Sequence, residues 1–174
     1  SVAPIIKIDK EKLSTNNHRI VISESDIISD LIDKIVGESQ SIEQVFDVRT
    51  GLQAYEKGKG NPPQSANDVK NHVFDRDKRE DQSSFKYLQG KDVGRYKLNW
   101  SGMWMQYGPW LSQPREIDIF RRPRVLIREI TSEYPKCLET MFIEGDYLNN
   151  KSILNILHQN DHTSELKMLA GILN

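Results

Sequence analysis

The residues best suited to chemistry in this sequence are five arginines within a run of 14 residues. They are Arg115, Arg121, Arg122, Arg124 and Arg128. The acidic residues in the same run are only Glu116 and Asp118. A guanidinium group can bind a phosphate or a guanine edge through two parallel hydrogen bonds. In a strand that begins at Pro123, Arg124 and Arg128 share one face, while Val125 and Ile127 point to the core. The run predicts a surface that contacts nucleic acid, and a solvated edge with local ion pairs is the alternative interpretation.

Two glycine-punctuated segments carry further cations. Lys57 and Lys59 lie in the segment Lys57-Gly58-Lys59-Gly60, and Lys91 and Arg95 lie in Gly90-Lys91-Asp92-Val93-Gly94-Arg95. A lysine ammonium is a mobile point charge that suits a DNA phosphate. Each segment is therefore a candidate DNA contact. The alternatives are a solvated turn for the first segment and, for the second, an Asp92 carboxylate that pairs with Lys91 or Arg95.

Four large aromatic residues follow closely in the chain, Trp100, Trp104, Tyr107 and Trp110. Such rings can stack on extruded bases. Large aromatic side chains at this density are more often core residues, because each buries a large apolar surface. We therefore expect at least two of the four to pack in the core.

Two motifs are set aside as catalytic centres. The segment Asn61-Pro62-Pro63-Gln64 is similar to the Asn-Pro-Pro-aromatic motif of adenine methyltransferases, but Gln64 stands where the aromatic ring is needed. No glycine-rich cofactor motif precedes it. Asp161 and Glu165-Leu166-Lys167 have the spacing of a metal-dependent nuclease centre, but that centre requires a strand pair and this segment is predicted to be a helix. The sequence therefore predicts no catalytic residue and no cofactor in this chain.

Histidine and cysteine residues give no metal-binding pattern. His18, His72, His158 and His162 show no metal-ligand spacing with Cys137. A single cysteine forms no internal disulfide, which favours a reducing compartment, and we expect Cys137 to be a small buried residue. No apolar stretch approaches the roughly 20 residues that cross a bilayer. The expected location is the cytoplasm, without membrane association.

Charge is distributed unevenly along the chain. The net charge of the 174 residues is −1, which by itself argues against a nucleic-acid binder. Residues 48–136, however, carry a net charge of +6, whereas residues 1–47 carry −4 and residues 137–174 carry −3. Screening limits charge to a reach of about 8–10 Å. We therefore expect the cations of the middle segment to gather on one concave surface opposite a DNA duplex.

The elements that must position these residues can be predicted from periodicity. Residues 4–8 and 18–22 are predicted strands, and apolar residues at helical spacing predict a helix that Ser23 begins and Gly37 ends. Further strands are predicted at 48–55, 123–130, 137–143 and 152–157, with a hairpin at 97–111. Short helices are predicted at 66–74 and 114–120, and a helix ends the chain. Strands and helices do not alternate, so the predicted fold is mixed α+β, with mostly antiparallel sheets and a few peripheral helices.

Several blocks of the sequence, in their order, resemble one known family. These are Gly51-Leu52-Gln53-Ala54-Tyr55-Glu56-Lys57-Gly58-Lys59-Gly60, Tyr87-Leu88-Gln89-Gly90-Lys91-Asp92-Val93-Gly94-Arg95-Tyr96, Pro123-Arg124-Val125-Leu126-Ile127-Arg128-Glu129-Ile130, Tyr147-Leu148-Asn149-Asn150-Lys151-Ser152-Ile153-Leu154-Asn155-Ile156-Leu157 and Leu169-Ala170-Gly171-Ile172-Leu173-Asn174. Together they resemble the TaqI-like C-terminal specificity domain, the target-recognition domain of bacterial type II restriction-modification enzymes that methylate adenine.

The resemblance implies that residues 47–174 are a target-recognition domain and that residues 1–46 connect it to a methyltransferase domain outside this chain. It implies recognition of double-stranded DNA, while a partner domain that uses S-adenosylmethionine methylates a flipped adenine. Whether the parent protein also contains an endonuclease stays open. The alternative that the charge distribution leaves open is a protein-interaction or structural domain of a defence system, without direct DNA contact.

Overall fold

The structure is a computed structural model, and it describes residues 26–39, 41–130, 133 and 137–174. The chain divides between Gln44 and Val45 into two units. In the first unit, helix α1 (Asp26–Glu38) is followed by a 3₁₀ turn (Ile42–Gln44). A helix is confirmed here, but Gly37 lies inside it and is not the left-handed cap that the sequence predicts. Ser23, its predicted start, lies outside the described residues. The predicted strands at 4–8 and 18–22 lie outside the described residues.

Among the described residues, the second unit contains three further helices, two four-stranded sheets and a two-stranded ribbon. Its helices are α2 (Ala66–Asn71), α3 (Asp118–Arg121) and α4 (Thr163–Leu173). Its strands are β1 (Phe46–Thr50), β2 (Asp75–Arg76), β3 (Ser84–Leu88), β4 (Val93–Gly94), β5 (Lys97–Leu98), β6 (Trp104–Gln106), β7 (Arg124–Arg128), β8 (Thr140–Ile143), β9 (Tyr147–Asn149) and β10 (Ile153–His158). A 3₁₀ turn (Gly90–Asp92) precedes β4. The predicted α+β class is confirmed.

The first sheet has the strand order β1-β10-β7-β8, and each neighbouring pair is antiparallel. Strand β7 lies inside this sheet and is covered on both faces. Val125 packs with Leu166 and Ala170 of α4, whereas Leu126 packs with Leu88 and Val93. This double burial explains why the sequence of β7 is apolar at its centre without strict alternation.

The second sheet has the strand order β2-β6-β3-β9, in which only the β3–β9 pair is parallel. Met105 and Tyr87 on one face of this sheet pack with Leu52, Leu111 and Phe120. Strands β4 and β5 form a separate two-stranded ribbon. The predicted hairpin at 97–111 is therefore wrong, because β5 pairs with β4 and β6 pairs with β2 and β3.

Two further expectations concern single residues. Trp100, Tyr107 and Trp110 pack against the buried clusters, as the density of aromatic residues predicts. Cys137, in contrast, is exposed, so the prediction of a buried thiol is wrong. None of the helices among the described residues has the length and the apolar character that a membrane crossing requires.

Candidate nucleic-acid interface

Arg124 is fully buried, which corrects its prediction as a DNA contact. Its guanidinium donates hydrogen bonds to the carbonyl oxygens of Phe120 at 2.8 Å, of Arg122 at 3.1 Å and of Tyr147, and to Oδ1 of Asn155 at 3.0 Å. Burial lowers the pKa of this guanidinium to about 9, so that it remains cationic at neutral pH. Both faces of β7 are covered, and the face that Arg124 shares with Leu126 and Arg128 is therefore no solvated edge.

Arg115 and Arg122 line one cavity of about 490 Å³, together with Arg49 from β1. Arg115 donates from Nη2 to the Thr50 hydroxyl at 2.8 Å, and Arg122 forms an ion pair with Asp161 at 2.7 Å. The carboxylates of Asp47, Glu116 and Asp118 line the same cavity. The three arginines are thus brought together, but the cavity holds as many carboxylates as guanidinium groups.

Arg121 lies at the end of α3, directly before Arg122 in the chain. Its guanidinium carbon is 5.8 Å from the centre of the Phe85 ring. The Phe85 and Tyr107 rings meet edge to face, with 6.0 Å between their centres. The Tyr107 hydroxyl donates a hydrogen bond to the carbonyl oxygen of Arg115. Burial raises the pKa of Tyr107, and the charge of Arg121 partly offsets that rise. Arg121 is therefore joined through two aromatic rings to the segment that carries Arg115.

We call Arg49, Arg115, Arg121 and Arg122 the arginine surface. Arg121 and Arg115 are exposed, and in the described part of the chain neither has an ion pair with a carboxylate. These two side chains can exchange water for a phosphate without first breaking an ion pair. Arg122 must first leave Asp161, which makes it the weaker anion ligand.

Lys91 and Arg128 line a second cavity, of about 390 Å³, with Gln89, Asn150 and Ser152. Lys91 is exposed, whereas Arg128 is paired with Glu139 at 2.8 Å. Asp92 is buried, and its carboxylate accepts a hydrogen bond from the Gln89 backbone amide at 2.8 Å. Asp92 therefore closes the 3₁₀ turn that presents Lys91.

Arg95 is exposed in the turn between β4 and β5. The backbone amide of Tyr96 in that turn donates to the carbonyl oxygen of Thr140 at 3.0 Å. The turn is thus fixed to β8, and Arg95 projects from it apart from both cavities.

Lys57 and Lys59 are exposed in a loop that Gln64 holds in place. The buried Gln64 side chain donates to the carbonyl oxygens of Ala54 at 2.7 Å and Trp110 at 2.8 Å. It also accepts from the backbone amide of Glu56 at 3.0 Å. The residue that disqualifies Asn61-Pro62-Pro63-Gln64 as a catalytic motif is thus a structural anchor.

A family model described as the TaqI-like C-terminal specificity domain matches residues 85–174, which is just over half of the chain. The chain belongs to this family. Its membership gives the chain a DNA-recognition role in restriction-modification systems, and the family is the specificity region of methyltransferases. A comparison with curated proteins finds no match.

The matched part of this TaqI-like domain contains Lys91 and Arg95 and all five arginines of the run. Arg49, which the structure adds to the arginine surface, lies before the matched residues. Arg49 is not predicted from the sequence because it stands apart from the other candidate cations there. The sequence does show, however, that Asp47 and Arg49 would share one face of a strand.

One cluster in the TaqI-like domain has the composition of a metal site. Donor atoms of His158, His162 and Glu165 lie within 4.8 Å of one another. However, the Asn160 backbone amide donates to Nδ1 of His158 at 2.9 Å, which leaves the proton of the neutral ring on Nε2, the atom that faces Glu165 at 3.1 Å. Metal-bound histidines instead donate from their second nitrogen. The cluster is therefore a hydrogen-bonded link between β10 and α4, and spacing to Cys137, the criterion applied to the sequence, could not reveal it.

The pKa of Glu165 lies below its ordinary value, chiefly because His162 is hydrogen-bonded to its carboxylate at 2.9 Å. The stabilisation is present above the pKa of the unfolded chain and is lost as the pH falls through the lower, folded pKa. We expect His162→Ala to raise the pKa of Glu165 towards its ordinary value, as measured by NMR titration of the carboxyl carbon. His72→Ala, which removes an exposed histidine elsewhere, should leave that pKa unchanged, and an unshifted Glu165 in His162→Ala would contradict the assignment.

Proposed function

We propose that this chain is the part of an adenine-specific DNA methyltransferase that recognises the target sequence in double-stranded DNA. In this proposal it binds the duplex and positions the target adenine, while a catalytic domain outside this chain transfers the methyl group from S-adenosylmethionine. Residues 47–174 are the recognition domain, and residues 1–46 connect it to the catalytic part. The chain itself contributes binding and orientation and no catalytic group. We propose the cytoplasm as its location.

The observation that carries this proposal is the family match over residues 85–174. The exposed guanidinium groups of Arg115 and Arg121 support it, since they are available to phosphates or guanine edges. Lys57, Lys59, Lys91 and Arg95 are exposed cations that we propose as further phosphate contacts. Arg122 and Arg128 are secondary candidates because each is engaged by a carboxylate.

The test is a titration of labelled duplex DNA with the full-length protein, on a site selected from a random duplex library. We expect the double variant Arg115→Ala, Arg121→Ala to bind at least about tenfold more weakly. Its slope of log affinity against log salt should fall by about 0.9 for each phosphate that the variant no longer neutralises. Lys167→Ala, which removes one exposed charge from α4, is the control for loss of a cation outside the arginine surface. Equal affinity and slope in the double variant and the control would exclude the arginine surface as the DNA-binding site.

A protein-interaction role without direct DNA contact is the second candidate. The balance of carboxylates and arginines in the 490 Å³ cavity and the ion pairs of Arg122 and Arg128 favour it. It predicts weak duplex binding that does not depend on sequence or on the arginine surface. The same titration therefore separates the two functions.

A further inference from the structure

A row of alternating cationic and aromatic side chains crosses the second sheet. Backbone register places Arg76 opposite Trp104, Trp104 opposite Lys86, and Lys86 opposite Tyr147. Directly opposite residues on neighbouring strands have side chains on the same face of a sheet. The other face carries Met105, which is buried in the core. The row therefore lies on the face of the second sheet that is turned away from the Met105 cluster.

Lys86 is held at the centre of this row by two aromatic rings. Its ammonium nitrogen lies 4.8 Å from the centre of the Trp100 ring and 5.3 Å from that of Tyr147. In the described part of the chain Lys86 has no ion pair. Arg76, in contrast, is paired with Glu80 at 2.7 Å and bonded to Gln106. Lys86 is thus the member of the row whose charge is available to an anion.

Trp104 borders the same space. It is partly exposed and meets Trp100 in a T-shaped contact at 5.5 Å. Lys86, Trp104 and Tyr147 line a cavity of about 350 Å³ with Arg79 and Asp146. The two cations exceed the single carboxylate, so the cavity favours an anionic ligand.

We propose that this row binds one unpaired nucleotide of DNA, with its base against Trp104 and its phosphate on Lys86 and Arg79. Stacking on a side chain requires a base whose π-face is free, and a paired base inside a duplex has none to offer. A cavity of about 350 Å³ is at the lower end of the sizes that hold small ligands. The proposal rests on the proposed DNA recognition only for its setting, since the row and the arginine surface share no residue.

The experiment measures the anisotropy of a labelled single-stranded oligothymidylate of about ten nucleotides, a length within the usual range of single-strand sites. The protein is the intact chain. We expect Lys86→Gln and Trp104→Leu each to weaken binding about tenfold, the size expected when one stacking or phosphate interaction is removed. Lys86→Gln should also lower the salt slope by about 0.7, the value for one phosphate on a single strand. Lys86→Arg should retain affinity and slope, and Lys167→Gln is the control.

Each outcome supports or contradicts the proposal that the row binds an unpaired nucleotide. No binding of the oligothymidylate by the wild-type chain, or equal affinities for Lys86→Gln and Lys167→Gln, would overturn the proposal. If Trp104→Leu shifts the thermal unfolding midpoint, its weaker binding can come from lost stability. The comparison of Lys86→Gln with Lys86→Arg then tests the proposal without it. Weakened single-strand binding with intact duplex binding in Lys86→Gln supports the row. Failure of wild-type duplex binding, with single-strand binding still sensitive to Lys86, refutes the proposed function and leaves the row supported.

Discussion

Replacing Arg124 with alanine is expected to lower the free energy of unfolding by about 3–5 kcal/mol, as measured by urea denaturation. The side chain is fully buried, and its removal opens a cavity and takes from the carbonyl oxygens of Phe120, Arg122 and Tyr147 the hydrogen bonds that the guanidinium donates. Two of these carbonyls belong to α3 and its end, the segment that presents the arginine surface. We therefore expect Arg124→Ala to weaken DNA binding as well, through the position of Arg121 and Arg122.

Two variants separate the causes of this destabilisation. Arg124→Met fills most of the volume but donates no hydrogen bond, so it should be destabilised less than Arg124→Ala but still clearly. Arg122→Ala removes a neighbouring, partly exposed arginine, and an ion pair of that kind contributes about 1 kcal/mol or less. Equal stability of Arg124→Ala and Arg122→Ala would show that Arg124 does not hold α3.

Gly60→Ala is expected to lower the free energy of unfolding by about 3 kcal/mol or more. The residue has a φ of +87°, and an added Cβ would lie 2.2 Å from the Trp110 carbonyl oxygen. Backbone strain and a backbone clash therefore act together. The same carbonyl accepts a hydrogen bond from Gln64. A shift of Trp110 would therefore also disturb Gln64, which holds the loop of Lys57 and Lys59 in place.

Gly58 in the same loop provides the matched control. Its φ is +79°, but an added Cβ would meet nothing within 4 Å. Gly58→Ala should therefore carry only the strain of a left-handed residue, about 1–2 kcal/mol. If denaturation curves show that Gly58→Ala and Gly60→Ala lose the same free energy of unfolding, the close approach of Gly60 to the Trp110 carbonyl does not exist in solution.

The sequence predicts the parts of this fold that depend on local pattern. Apolar residues at helical spacing locate α1 and α4, and a short, nearly continuous apolar run locates β7. The hairpin at 97–111 fails since the partners of Trp104, at Arg76 and Lys86, lie far earlier in the chain. The pattern of residues around Trp104 does not show which distant strands will pair with β6.

The candidate site was predictable in composition but not in arrangement. The arginine run and the basic middle segment point to nucleic acid, and the family match agrees with that role. Which arginines are available depends on distant partners, since Asp161 neutralises Arg122 from 39 positions away and Asn155 engages Arg124 from 31 positions away. The sequence predicts the alternation of Arg124 and Arg128 but not the cover on their face, because elements distant in the chain supply it: Tyr147 of β9 at Arg124 and Leu88 of β3 at Leu126.

The first sheet also constrains how the chain is made. Its edge strand β1 pairs with β10, and the contact from Asn155 to the backbone of Arg49 spans 106 positions. During synthesis β1 therefore leaves the ribosome long before its partner exists. Asp47 and Arg49 place charges along that waiting strand, and charges on an unpaired edge discourage association with other chains. We therefore expect the same two residues to protect the nascent polypeptide before Arg49 becomes part of the finished arginine surface and Asp47 lines the cavity beside it.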